Sequence, residues 1–254
     1  MTFALVGIGL AAGFFSGLFG VGGGLIVVPG LVVIMRLDHR RAVGTSLLAI
    51  LPAVLGSLGA YAVAGSVNFL VGGLLALGAV AGAQLGSWLL QRMPVRVAQW
   101  IFVGFVAVMI VQLIVLVPDR GAGIALDPLR IAGLIVLGLV AGVLSALLGI
   151  GAGGVVVAML MLLGASDLTA KGASLVMMVP GVASGTVANL LRHNIDVRAA
   201  FVVGSASLVG SPLGAWAAHQ VPPQVGSGLF AGFLAVIGIM MLRQALAARA
   251  PIGP

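Results

Sequence analysis

The stretch GLFGVGGGLIVVPG, residues 17–30, places glycines at 20, 22, 23 and 24 inside an otherwise apolar run. Its reading depends on the medium around it. Of the 254 residues, 61% are hydrophobic and 7% charged, against roughly 45–50% and ~25% in soluble domains. Apolar stretches around 44–64, 68–90, 97–117, 131–164, 197–218 and 225–242 reach or approach the ~20 residues that a helix needs to cross a bilayer. The chain therefore reads as an all-α, polytopic membrane protein. Its net charge of +7 comes from basic residues at the ends of apolar segments, a pattern that orients a membrane protein and excludes nucleic acid as a partner. Cysteine is absent, which removes disulfides, thiolate metal sites and cysteine nucleophiles. No basic region precedes the first apolar segment, so it is not read as a cleaved signal peptide.

The glycine run has a counterpart. GFFSGLFGVGGGLIVV from Gly13 aligns with GVLSALLGIGAGGVVV from Gly142, so that Ser16 faces Ser145 and Gly20 faces Gly149. After a one-residue gap, Ser46 and Pro52 meet Ser174 and Pro180, and Gly82, Gly86 and Trp88 meet Gly210, Gly214 and Trp216. Chance alignment of apolar sequence matches Leu with Val. It does not keep tryptophans, prolines and a glycine series in one register. Two homologous halves follow, 1–118 and 129–254, joined by a linker at 119–128.

Short loops rich in Lys and Arg stay in the cytoplasm. The basic ones hold Arg36, Arg40 and Arg41; Arg92 and Arg96; Arg192 and Arg198; and, in the tail, Arg243 and Arg249. With these inside, 44–64, 68–91 and 95–117 cross in the first half, and 171–192, 197–218 and 224–243 in the second. Residues 4–35 then have both ends inside and 131–164 both ends outside. Each must enter and return, and a hairpin broken at its glycines does this. The two halves insert upside down relative to each other, the inverted-repeat plan common among secondary transporters, with both termini cytoplasmic in a bacterial inner membrane.

Unwound backbone at membrane depth survives only where protein buries it or a cavity runs past it. A helix restarting after such a turn points free N–H groups at whatever lies there, an anion site that needs no charged side chain. The alternative is that these glycines only let helices approach closely. Thr45, Ser46 and Ser174 near the starts of two crossings, with Pro52 and Pro180 beyond them, offer hydroxyls and kinks to line a path. Gln84 is the other polar side chain considered, for substrate or for helix-to-helix hydrogen bonding. His39, His193 and His219 read as loop residues, and all five aspartates as loop or helix-end residues. No metal, cofactor or catalytic residue is expected. Gly23→Val and Gly153→Val are expected to abolish anion binding with the fold intact.

GLFGVGGGLIVVPGLV, with RRAVGTSLLAILPA after it and LLGIGAGGVVV in the second half, resembles the TauE/SafE family of membrane permeases over essentially the whole chain. In the second motif Ala152 interrupts the glycine run. The resemblance implies export or uptake of sulfite, sulfonates such as sulfoacetate, or other small organic anions. It implicates Gly22, Gly23, Gly24, Thr45 and Ser46, with Gly151, Gly153, Gly154 and Ser174, as the substrate's neighbourhood. The expected partners are thus a small anion and the lipid bilayer, with a homodimer as the one protein partner considered. The competing readings are an anion channel, a carrier for another small organic anion, a membrane enzyme and a scaffold subunit.

Overall fold

The computed structural model describes residues 2–115 and 127–247, and every regular element in them is helical. In order these are α1 (Thr2–Phe19), α2 (Gly24–Ile34), α3 (His39–Val63), α4 (Phe69–Arg92), α5 (Val95–Val115), α6 (Pro128–Leu148), α7 (Gly153–Leu162), α8 (Asp167–Leu190), α9 (Val197–Gln220) and α10 (Pro223–Ala247). Positions 116 and 117, nearly all of the linker, and Arg249 lie outside the described residues.

Six helices, α1, α3, α4, α6, α8 and α9, are long and apolar enough to cross a membrane. Two expected crossings, α5 and α10, carry shorter apolar windows among the described residues, 95–111 and 234–243. Two helices begin earlier than the charge pattern suggests. The Asp38 carboxylate accepts from the Arg40 N–H at the start of α3, and the Ser166 hydroxyl from the Thr169 N–H at the start of α8. Side-chain acceptors at these positions satisfy donors that the first helical turn leaves unpaired. His39 and Asp167 thereby become buried helical residues, and His219 lies in the last turn of α9 rather than in a loop.

The segment at 2–34 folds as a hairpin. Gly23 lies against the carbonyl of Ala12, and Gly30 against the side chain of Ile8, so α2 runs back antiparallel along α1. At 1.5 Å per residue α1 is about 27 Å long and α2 about 16 Å. The return helix therefore starts near the middle of the bundle.

Small residues decide what packs on what. Gly9, Gly13 and Gly17 of α1 meet backbone carbonyls of α9 at Val203, Ser207 and Ser211. In the same way Gly78, Gly82 and Gly86 of α4 meet α6 at Ile135, Leu139 and Val143. A glycine every fourth residue keeps a smooth stripe on one helix face, and backbones close to distances that a Cβ would block. Each hairpin's long arm thus packs on a helix of the other sequence half. Helices α3 and α8 pack against each other and against these pairs.

Candidate functional site

Both hairpin breaks are built from left-handed backbone. Gly20, Gly22 and Gly23 have φ of 68°, 86° and 76°, and Gly149, Gly151 and Ala152 have 71°, 82° and 50°. The two series match position for position in the repeat alignment. Glycine enters this region without steric cost. Ala152 occupies it as a fully buried alanine, at the position of Gly23.

The two turns lie against each other. A Cβ on Gly24, the first residue of α2, would strike the carbonyl oxygen of Gly149, and one on Gly153, the first residue of α7, would strike that of Gly20. These carbonyls are held by equivalent serines. Ser46 Oγ donates to Gly149 O at 2.6 Å, and Ser174 Oγ lies 2.8 Å from Gly20 O. Each serine thus fixes the turn of the opposite half. Between the turns sits Met178 of α8, 1% exposed, whose terminal methyl occupies the space that a Cβ on Gly22 or Gly151 would need. Ile50 Cδ1 comes to the same place, 3.5 Å from a Cβ on Gly151.

Two helix N-termini therefore open at this contact. None of the described backbone hydrogen bonds uses the N–H groups of Gly22, Gly23 and Gly24, or those of Gly151, Ala152 and Gly153. Unspent N–H groups at the positive end of a helix dipole attract anions. The arrangement offers backbone donors beside the Gly20 and Gly149 carbonyls that Ser46 and Ser174 hold, with Met178 and Ile50 as its apolar side chains.

The other residues singled out in the sequence do different work. Thr45 Oγ1 accepts the N–H of Asp196 at 2.9 Å, and Asp196 caps α9, so Thr45 ties α3 to the start of α9. The Gln84 amide donates to Ser184 Oγ at 2.8 Å and to Ser184 O at 3.1 Å, clasping α4 to α8 on an exposed face. No described polar contact links it to the turns. Gly154 lies beside them, its missing side chain replaced by the end of Met109. No group of three or more His, Cys, Asp or Glu suited to a metal ion occurs among the described residues.

Sequence reasoning missed Met178, which looked like one more apolar residue. It also missed how deeply Asp167 and Lys171 are buried. Lys171 Nζ lies 3.5 Å from Asp167 Oδ2, with the side chains 15% and 6% exposed. The signal available was Ser166 as a helix-capping residue, which brings Asp167 into α8 and sets Lys171 one turn inside it.

These features define a multi-pass helical membrane protein with two broken hairpins joined tip to tip. The chain matches the family model described as Sulfite exporter TauE/SafE over residues 1–113 and 134–253, and it belongs to that family. It is 28% identical, over 254 residues that cover 92% of this chain and 95% of the relative, to a "Probable membrane transporter protein" of Haemophilus influenzae. It is also 33% identical over 87 residues to the "Probable membrane transporter protein YdhB" of Bacillus subtilis, and 36% identical over 96 residues to that organism's "Probable membrane transporter protein YunE". Those two alignments cover 36% and 35% of the respective relatives' lengths. No solved structure matches the chain. The family is one of membrane transporters.

Proposed function

We propose that this protein exports a small sulfur-containing oxyanion, sulfite or an organosulfonate such as sulfoacetate, across a bacterial inner membrane. It does so by alternating access between two inverted repeats, with both termini in the cytoplasm. The observation that carries the reading is the pair of facing helix N-termini at Gly24 and Gly153, whose turns leave N–H groups unspent. A helix end binds a tetrahedral or pyramidal oxyanion through several N–H groups at once. The description of the family as a sulfite exporter agrees with that chemistry. Met178, closing the space between the turns, belongs to an occluded state from which each half swings in turn. Because the unspent donors are backbone groups, they stay charge-neutral whichever way the site faces.

Flux measurement in liposomes tests the reading. An anion leaving an inside-negative compartment gains ~2.3 kcal/mol per charge per 100 mV, about a fifty-fold concentration ratio. Sulfite-loaded proteoliposomes should therefore release sulfite under an imposed potential, without a pH or sodium gradient, at a rate that saturates with sulfite concentration. Linear, unsaturable flux would mark a channel instead, and the absence of flux for both sulfite and sulfoacetate would remove sulfur oxyanions as substrates.

Orientation is tested separately, on a chain with no native cysteine. Single cysteines at positions 66 and 220 should react with an impermeant maleimide from outside the cell, and those at 41, exposed where 39 is buried, and 194 from inside. The opposite pattern, or labelling from both sides, would overturn the inverted-repeat assignment.

A further inference from the structure

We propose that Lys171 is the cationic contact for the transported oxyanion, and that Asp167 is the resident carboxylate which the oxyanion displaces. The inference rests on the anion-carrier reading and adds to it a charged residue at the turn.

Lys171 is the only lysine in the chain. Its stem packs on the first glycine of the hairpin turn, with Lys171 Cα 3.0 Å from the place of a Cβ on Gly20. Ser174 Oγ lies 2.8 Å from both Gly20 O and Lys171 O, so one hydroxyl holds the turn and the lysine backbone together. The equivalent position at the other turn is Val43, which makes the same approach to Gly149, with its Cα 2.9 Å from that glycine's Cβ place. Packing against the turn is thus fulfilled by an apolar side chain. The ammonium of Lys171 is surplus to it.

Charged groups within membrane bundles are costly and mark substrate or ion paths. The pair here is only loosely made. Nζ to Oδ2 is 3.5 Å, whereas a close charge-assisted hydrogen bond spans about 2.7–2.9 Å. Asp167 is 4% exposed, and its Oδ1 has no hydrogen-bond partner among the described residues. Neighbouring polar groups are already engaged. Tyr61 OH donates to Gly17 O at 3.0 Å, and His219 Nδ1 contacts Ala215 O at 2.8 Å while its Nε2 contacts Ser66 Oγ at 3.3 Å. Of the three N–H bonds on Lys171, one is directed at Asp167. No described hydrogen bond takes the others, and an oxyanion presents several oxygens where the carboxylate uses one. Exchange of Asp167 for substrate keeps the ammonium paired throughout and returns it to a resting partner after release.

Binding of sulfite and sulfoacetate to the full chain in detergent, read by thermal stabilisation and titration calorimetry, tests this. Lys171→Gln should weaken binding by about tenfold to a hundredfold, the loss of a charge-assisted contact, while Asp167→Asn should tighten it several-fold. Because Lys171→Gln strands a buried carboxylate and is liable to misfold, the neutral double variant Asp167→Asn/Lys171→Gln is the control. It should melt near the wild-type temperature and still bind as weakly as the single lysine variant. If the double variant and Asp167→Asn both bind with wild-type affinity, the ion pair is only structural and the proposal falls, with the carrier reading intact. If neither anion stabilises the wild-type protein, the carrier reading and the proposal fall together.

Discussion

Gly153→Ala and Gly24→Ala should each collapse the centre of the molecule, whereas Gly154→Ala, one residue further along α7, should be close to neutral. At Gly153 the added methyl meets the carbonyl oxygen of Gly20, and Met178 Sδ at 2.9 Å. At Gly24 it meets the carbonyl of Gly149 and the backbone of Ile150. The carbonyls and Ile150 belong to the opposite turn, which Ser46 or Ser174 holds in place, so relief requires the two hairpins to move apart. Overpacking of this kind costs ~3 kcal/mol, or roughly 6–12 °C of melting temperature at this chain length. At Gly154 the obstacles are the tip of Met109, a flexible side chain that can turn away, and Val21 Cγ1 at 3.2 Å, which has to give by only a few tenths of an ångström, and alanine regains up to ~1 kcal/mol of helix propensity. Thermal melts in detergent separate the outcomes. Equal melting of all three variants would show that the turns do not press on one another.

The same geometry corrects the expectation that Gly23→Val and Gly153→Val spare the fold. Gly23 has φ of 76° and lies against the Ala12 carbonyl, so a valine there is both strained and obstructed. Loss of anion binding in either valine variant would follow from lost structure. It would say nothing about the donors.

The hairpins were legible because glycine at membrane depth has few uses, and because the run recurs in register with prolines and tryptophans. The repeat also pointed to Ser46 and Ser174 as a pair. Their partners were not legible, since a sequence repeat does not state that each half's serine holds the other half's turn. Packing of α1 on α9 and of α4 on α6 was hidden for a related reason. Glycine stripes show that a helix has a close neighbour, but many helices here have such stripes. For Gln84 the sequence left two outlets open, substrate or another helix, and its hydrogen bonds to Ser184 are of the second kind. Loop charge concealed Asp167 and Lys171. The cap at Ser166 that brings Asp167 into α8, and sets Lys171 one turn inside it, is a local hydrogen bond, invisible to a reading of hydropathy. Ala152 is the converse case, for the interrupted motif keeps its backbone conformation, and alanine bears the strain of a left-handed residue, of order 1–2 kcal/mol.

Met178→Ala should make the protein less stable yet more responsive to anion. The side chain is 1% exposed and its methyl fills the concave side of both turns, against Gly22 and Gly151. Truncating a buried methionine to alanine costs about 2–5 kcal/mol, because the cavity left behind is only partly closed. Here that cavity borders Gly22 and Gly151 of the two turns, so on the carrier reading an oxyanion can enter without first displacing the thioether. A ligand at about a hundred times its dissociation constant stabilises by ~2.7 kcal/mol, so a tighter-binding variant will recover more of its lost melting temperature at any given sulfite concentration. Met178→Leu preserves volume, costs below ~1.5 kcal/mol, and should respond as the wild type does. The measurement is a series of thermal melts across a sulfite titration for the three proteins. A shift in the alanine variant no larger than in the leucine variant would mean that the space under Met178 is not where the anion binds, and that the helix ends at Gly24 and Gly153 hold the two halves together without touching the substrate.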